Sequence, residues 1–143
     1  MEVKRPEYVF KDERGELSQV ISGGPWRQLN ILKRRAGSLG GGHYHARTEE
    51  LFYVLSGKVR VKIFDTLSDC HVKSETFAEG DCFTIMPYEQ HYMSFLTHTV
   101  MVVLYSQPFN EKEPDVMVDQ RLPKLGEAFH ATLQGTEEGG ELC

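Results

Sequence analysis

The feature that most constrains this chain is a hydrophobic period of two, repeated in one short segment after another. Segments rich in Val, Ile, Phe, Tyr or Thr recur every eight to twelve residues or so, each bounded by turn residues, and this is the signature of antiparallel strands. The pattern predicts strands over 8–11, 17–22, 26–33, 51–55, 58–64, 72–77, 82–86, 91–95 and 99–105. No helical pattern precedes position 110, so an all-β sandwich or barrel is expected and a parallel βαβ architecture is disfavoured. Asp12-Glu13-Arg14-Gly15 reads as the turn of an N-terminal hairpin, and Ser56-Gly57 as a tight joint between its flanking strands.

Alternation also assigns faces. Val59, Val61 and Ile63 share one side of their strand, while Lys58, Arg60 and Lys62 make the other a wet face that discourages edge pairing. The run 100–104 is apolar throughout, as expected of a strand covered on both sides, here by the mate in a homodimer. Beyond Tyr105 the pattern decays through Pro108 and Pro114, leaving a segment of 111–143 in which only 121–133 has the composition for a short helix and 135–143 is expected to be disordered. The organisation expected is one β-barrel domain over 1–110 and a short irregular C-terminal tail.

Charge narrows the partners. Residues 1–110 carry thirteen Lys/Arg against thirteen Asp/Glu, and 111–143 carry three against eight, so the whole net charge of -5 lies in the tail. A neutral body without a basic stripe excludes nucleic acid as the expected partner. No run approaches the length of a membrane span, and 1–6 lacks the apolar segment of a secretory leader, so a cytoplasmic protein is expected. Cys70, Cys82 and Cys143 are too few and too irregularly spaced for a disulfide framework or a zinc site and read as reduced thiols.

Chemistry concentrates in two stretches. In the first, Gly37 to Gly57, His43 and His45 stand two residues apart, so in an extended segment both imidazoles leave the same face at about 6–7 Å, within reach of one metal ion. After a turn at 46–48, Glu50 shares a face with Phe52 and Val54 and brings an anionic oxygen beside the two nitrogens, whereas Glu49 points away. The second stretch begins at Gly80-Asp81 and turns at 87–90, so that His91 opens the next strand as a third imidazole. His71, His98 and His130 have no such company and read as surface residues. Trp26 and Phe52 read as core.

These stretches resemble the two motifs of the cupin superfamily. Gly37, His43, His45, Glu50 and Gly57 match every fixed position of the first, G-x5-H-x-H-x3-4-E-x6-G. Gly80 and His91 match the second at the required separation, but Met86 stands where the family has proline, Tyr88 where it has glycine and Phe95 where it has asparagine. The resemblance covers 26–106 and implies a double-stranded β-helix, a jelly-roll barrel, with a divalent metal ion held in its mouth by His43, His45, Glu50 and His91. Arg14-Gly15-Glu16-Leu17 with Gly41-Gly42-His43-Tyr44-His45 is further similar to the cupin domains of bacterial surface-sugar biosynthesis, whose members epimerise or isomerise nucleotide-linked sugars.

A four-ligand site leaves one or two coordination positions for substrate. Imidazole suits Fe, Mn, Ni, Co, Cu and Zn alike, so the ligands do not choose among them. The expected function is a small metal-dependent enzyme that isomerises or epimerises a compact, oxygen-rich metabolite, with Glu50 and Tyr105 as the catalytic side chains. Tyr44 and Tyr53 alternate away from the site, and Tyr88 and Tyr92 are further candidates to donate or accept a proton beside the ligands. An Fe(II) dioxygenase and a non-catalytic ligand-binding module are the competing readings.

Overall fold

The computed structural model describes residues 1–68 and 72–130. Its strands are β1 (Glu2–Lys4), β2 (Tyr8–Asp12), β3 (Gly15–Gln19), β4 (Gln28–Arg34), β5 (Leu39–His43), β6 (Glu50–Ser56), β7 (Lys58–Asp65), β8 (Val72–Ala78), β9 (Cys82–Ile85), β10 (Glu89–Phe95) and β11 (Thr99–Tyr105). A five-stranded sheet in the order β1-β9-β6-β11-β4 faces a four-stranded sheet in the order β5-β10-β7-β8, and β2-β3 stands apart as a hairpin. Every pairing is antiparallel. The all-β jelly-roll barrel with its N-terminal hairpin is therefore the architecture of the described residues, and none of them forms a helix long and apolar enough to cross a membrane.

Alternating residues of both sheets fill the interior. Phe52, Val54, Phe83 and Met101 from one sheet meet Val59, Val61, Ile63, Phe77 and Phe95 from the other. Phe83 stacks between Phe52 and Phe77, with ring centroids 5.1 and 4.1 Å away. Each such side chain contributes about 1.5–3 kcal/mol of hydrophobic stabilisation, so the barrel does not depend on its mouth for stability.

Two strands lie outside the sequence pattern. β1 is too short to show a period, and β5, Leu-Gly-Gly-Gly-His, has none of the branched residues that mark strands. What makes β5 a strand is its neighbour: β10 approaches so closely that a Cβ on Gly41 would run into the carbonyl oxygen of His91. Ser56-Gly57 is the tight joint expected, but it joins strands of different sheets. β6 belongs to one sheet and β7 to the other, and Gly57, at φ 92°, turns the chain between them beneath the carbonyl of His98. Both apolar faces continue inward around this corner, which alternation alone cannot distinguish from a hairpin.

The outer side of β11 is open in the single chain: Val100, Val102 and Leu104 are half-buried, and beside them on β4 Leu29 and Ile31 are 62% and 53% exposed. Residues 111–130 run back over the barrel. Tyr44 and Met117 exchange backbone hydrogen bonds, Asp119 N–H donates to Gln90 Oε1, Tyr92 O–H donates to Pro123 O, and Lys62 Nζ donates to Ala128 O. Arg60 and Lys62 are half-buried, so this face is less wet than alternation predicts. Of the expected helix over 121–133, the residues through 130 form turns that end in a 3₁₀ conformation at His130; Ala128 N–H donates to Lys124 O, and the barrel takes the carbonyls of Pro123 and Ala128. Residues 131–133, Cys70, His71, Cys143 and the stretch 135–143 lie outside the described residues. Cys82 is a free, buried thiol that burial pushes up to about 11.

Candidate active site

Two cross-strand pairs, one from each sheet, face each other at the mouth. In the four-stranded sheet His43 of β5 stands directly opposite His91 of β10, with a register shift immediately after His91. In the five-stranded sheet Glu50 of β6 stands opposite Tyr105 of β11. His45 lies just beyond β5 and leans in between them. Its ring centroid is 4.9 Å from that of His43, 5.7 Å from His91 and 6.5 Å from Tyr105. His43 and His91 are 4.6 Å apart.

One nitrogen from each of His43, His45 and His91 lies within 4.8 Å of the other two, a spread one cation can bridge. Glu50 joins from the other sheet, its Oε2 3.3 Å from His45 Nε2 and 3.5 Å from His91 Nε2. Yet His45 Nε2 and Glu50 Oε2 are buried without a hydrogen-bond partner among the described residues. The reason is visible on the other side of the ring, where His45 Nδ1 is tied to the main-chain oxygen of Asp115. When Nδ1 carries the imidazole proton, Nε2 and the carboxylate oxygen face each other as two lone-pair acceptors, an arrangement that a cation between them relieves. This orphaned pair and the neighbouring imidazoles fit a divalent transition ion, which requires neutral histidine and ionised carboxylate.

The protonation states of His43, His91 and Glu50 agree with that requirement, whereas that of His45 opposes it. Burial, reinforced by His91 and His45, holds His43 down to about 4. Burial also lowers His91 against the pull of Glu50. Burial alone would raise Glu50, but contact with His45 and the charges of the surrounding imidazoles outweigh it and keep the carboxyl ionised. For His45 burial opposes charge and loses to Glu50 and Asp115, so this point favours a positive charge. Burial and then the Glu50 charge push Tyr105 up to about 12, leaving a phenol that is a proton donor at neutral pH.

A cavity of about 200 Å³ opens beside these groups, lined among others by His45, Arg47, Tyr105, Asn110, Glu113 and Asp115. Of the residues singled out from sequence, His43, His45, Glu50, His91 and Tyr105 come together here. The others go elsewhere. Tyr44 stacks on Tyr88 at 5.8 Å, Tyr92 is fully buried under the C-terminal segment, and Tyr53 is half-buried on the outward side of β6. Glu49 and the half-buried Trp26 line a separate groove on the outer side, so Trp26 is not part of the core. His98 and His130 are exposed.

Sequence reasoning missed Asp115 and the segment around it. Its carboxylate accepts the N–H groups of Ala46, Arg47 and Thr48 and the Thr48 hydroxyl at 2.8–2.9 Å. Burial opposes ionisation of Asp115, but these donors outweigh it and lower the pKa. An aspartate following Pro114 carries no local signal for a contact some seventy residues back along the chain; only the acidic bias of the segment set it apart.

Comparison with known proteins bears on both fold and family. The sequence model of a family described as "Polysaccharide biosynthesis C-terminal domain" matches residues 10–117. No curated protein matches the chain. Among solved structures, the capsular polysaccharide assembling protein CapF from Staphylococcus aureus is 21% identical at a TM-score of 0.60, over 78% of this chain and 32% of CapF, so the chain spans about a third of that protein. The dTDP-4-dehydrorhamnose 3,5-epimerase from Sulfolobus tokodaii is 18% identical at 0.63, over 73% of this chain and 69% of that one. QdtA, a sugar 3,4-ketoisomerase from Thermoanaerobacterium thermosaccharolyticum in complex with TDP, is 15% identical at 0.66, over 92% and 94%. These likenesses show that the chain shares its β-barrel fold with these proteins.

Proposed function

Since the chain belongs to the polysaccharide biosynthesis C-terminal domain family, we propose that it is a metal-dependent cupin that isomerises or epimerises a keto sugar or a closely similar oxygenated metabolite. The observation that carries this reading is the convergence of three imidazoles and the ionised Glu50, with two orphaned polar atoms, beside a cavity of about 200 Å³ that His45 and Tyr105 line. The fold is shared with an epimerase and a ketoisomerase of deoxysugars. Both reactions move a proton on carbon next to a carbonyl, and this supports the same class of chemistry here.

His43, His45, His91 and Glu50 are the residues that hold the ion, which when bound supplies Lewis-acid polarisation of the substrate carbonyl. Tyr105 keeps its proton and donates O–H to the substrate oxygen as negative charge develops on it. Glu50, whose strand position is opposite Tyr105, takes the carbon-bound proton in this reading through the carboxylate oxygen that the ion does not hold.

The test is solvent exchange. Purified protein loaded in turn with Fe, Mn, Co, Ni, Cu and Zn is incubated in D₂O with a panel of free, phosphorylated and nucleotide-linked keto sugars. Deuterium should enter at the carbon beside the carbonyl of one substrate, and Tyr105→Phe should slow entry by about 10²–10⁴-fold. Tight binding with no exchange on any substrate would make the chain a ligand-binding module, and oxygen uptake matched to substrate loss would make it a dioxygenase.

We also propose a homodimer. Hairpin β2-β3 pairs with neither main sheet while exposing Phe10 and Leu17 at 45% and 63%, and strand β4 forms an apolar edge of the five-stranded sheet. A hairpin from a second copy can cover that edge. Sedimentation should give twice the chain mass, and a monomer at micromolar concentration overturns this.

A further inference from the structure

The metal reading leaves unexplained why a segment some seventy residues away closes on the ligand loop with so many hydrogen bonds. Asp115 makes two kinds of contact. Its carboxylate gathers three successive backbone N–H groups, of Ala46, Arg47 and Thr48, together with the Thr48 hydroxyl. Its main-chain oxygen takes Nδ1 of His45, the residue at which that loop begins. The strand-like exchange between Tyr44 and Met117, at 2.8 and 2.9 Å, fixes the same two segments on the next residues along. The carboxylate thus locks the loop, the loop and the Tyr44–Met117 bridge lock the height of the 115–117 segment, and the carbonyl meets a ring whose position is set.

We propose that Asp115 is the positioning residue of the site: it fixes the orientation and tautomer of His45, so that Nδ1 holds the proton and Nε2 presents its lone pair to Glu50, His43 and His91. This rests on the metal-site reading for its purpose, although not for its geometry. Without the Asp115 carbonyl the nearest acceptor for a ring proton is Glu50 Oε2, 3.3 Å from Nε2. The neutral ring would then protonate at Nε2, and the atom meant for the ion would be blocked. A histidine ligand needs a proton acceptor on its far side for this reason, and here a residue outside both sequence motifs supplies it. The carboxylate does not touch the ring, so Asp115 acts through its own backbone and the loop.

The experiment compares the full chain with Asp115→Ala and Asp115→Asn in two measurements. Long-range ¹H–¹⁵N spectra of the metal-free proteins at alkaline pH read the tautomer of His45. Wild type should show Nδ1–H, and Asp115→Ala should shift toward Nε2–H. Competition with a chelator for Co²⁺ reads affinity, and Asp115→Ala should bind about 10- to 100-fold more weakly. Asp115→Asn, which retains one accepting oxygen in the loop, should fall between the two on both measurements. If Asp115→Ala does not fold, Asp115→Asn and Thr48→Val, each removing part of the clamp, carry the comparison. An unchanged His45 tautomer in the folded variants overturns the proposal. Failure of wild type to bind Co²⁺ would remove the metal reading, while the tautomer shift would still decide the role of Asp115.

Discussion

The β5–β6 segment and the β9–β10 segment deliver histidines to one point by different means. In the first, the glycines of β5 let the strand come against β10, and the Ala46–Thr48 turn is clamped by Asp115. In the second, the turn has Tyr88 where the motif has glycine, and Tyr88 adopts φ 65°, the left-handed conformation that glycine takes without strain. The turn is retained because other groups hold it. Tyr88 N–H donates to His45 O at 2.7 Å, its carbonyl accepts from the Thr66 backbone and hydroxyl, and its ring stacks on Tyr44. The difference teaches that His91 is placed by the register of β10 against β5 and β7, and that the residues of its turn are exchangeable so long as the conformation survives.

The largest effect expected is on the ligands themselves. His91→Ala and Glu50→Ala should each abolish tight metal retention, beyond the roughly 10- to 100-fold cost of an outer-shell change, while circular dichroism still reports a folded β-barrel. Elemental analysis that found a full equivalent of metal in either variant would break the equivalence of the two segments at its root. Next comes the register. Gly41→Ala drives a Cβ into the His91 carbonyl at a positive φ, and the unfolding free energy should fall by about 2–4 kcal/mol. A loss under about 1 kcal/mol would show that β5 and β10 are less tightly coupled than their pairing implies. The smallest effect isolates the turn. Tyr88→Ala loses the stacking but keeps the left-handed strain, whereas Tyr88→Gly loses both. Urea denaturation should find the glycine variant more stable than the alanine variant by about 1 kcal/mol; equal stabilities would mean that the Tyr88 conformation carries no strain.

Legibility in the sequence followed how local each signal was. β7 was readable because Val59, Val61 and Ile63 repeat at the strand period, and β11 because 100–104 is a continuous apolar run. β5 was not, since glycine carries no side-chain pattern and its strand character comes from β10. The joint at Gly57 was legible, but its crossing from one sheet to the other was not, because alternation does not say which sheet a strand joins. Tyr92, a candidate from sequence to stand beside the ligands, lies instead under Pro123, covered by a segment whose own sequence shows no period.

Residue order alone determined the all-strand architecture and the donor set: alternation is a property of neighbouring residues, and the separations of His43, His45 and Glu50 put them on compatible faces whatever surrounds them. Tertiary structure alone decided that His43 opposes His91, that Glu50 opposes Tyr105, and that Asp115 backs His45. Strand register is chosen by the packing of two whole sheets, and a carbonyl supplied from some seventy residues away leaves no trace in the local pattern of side chains.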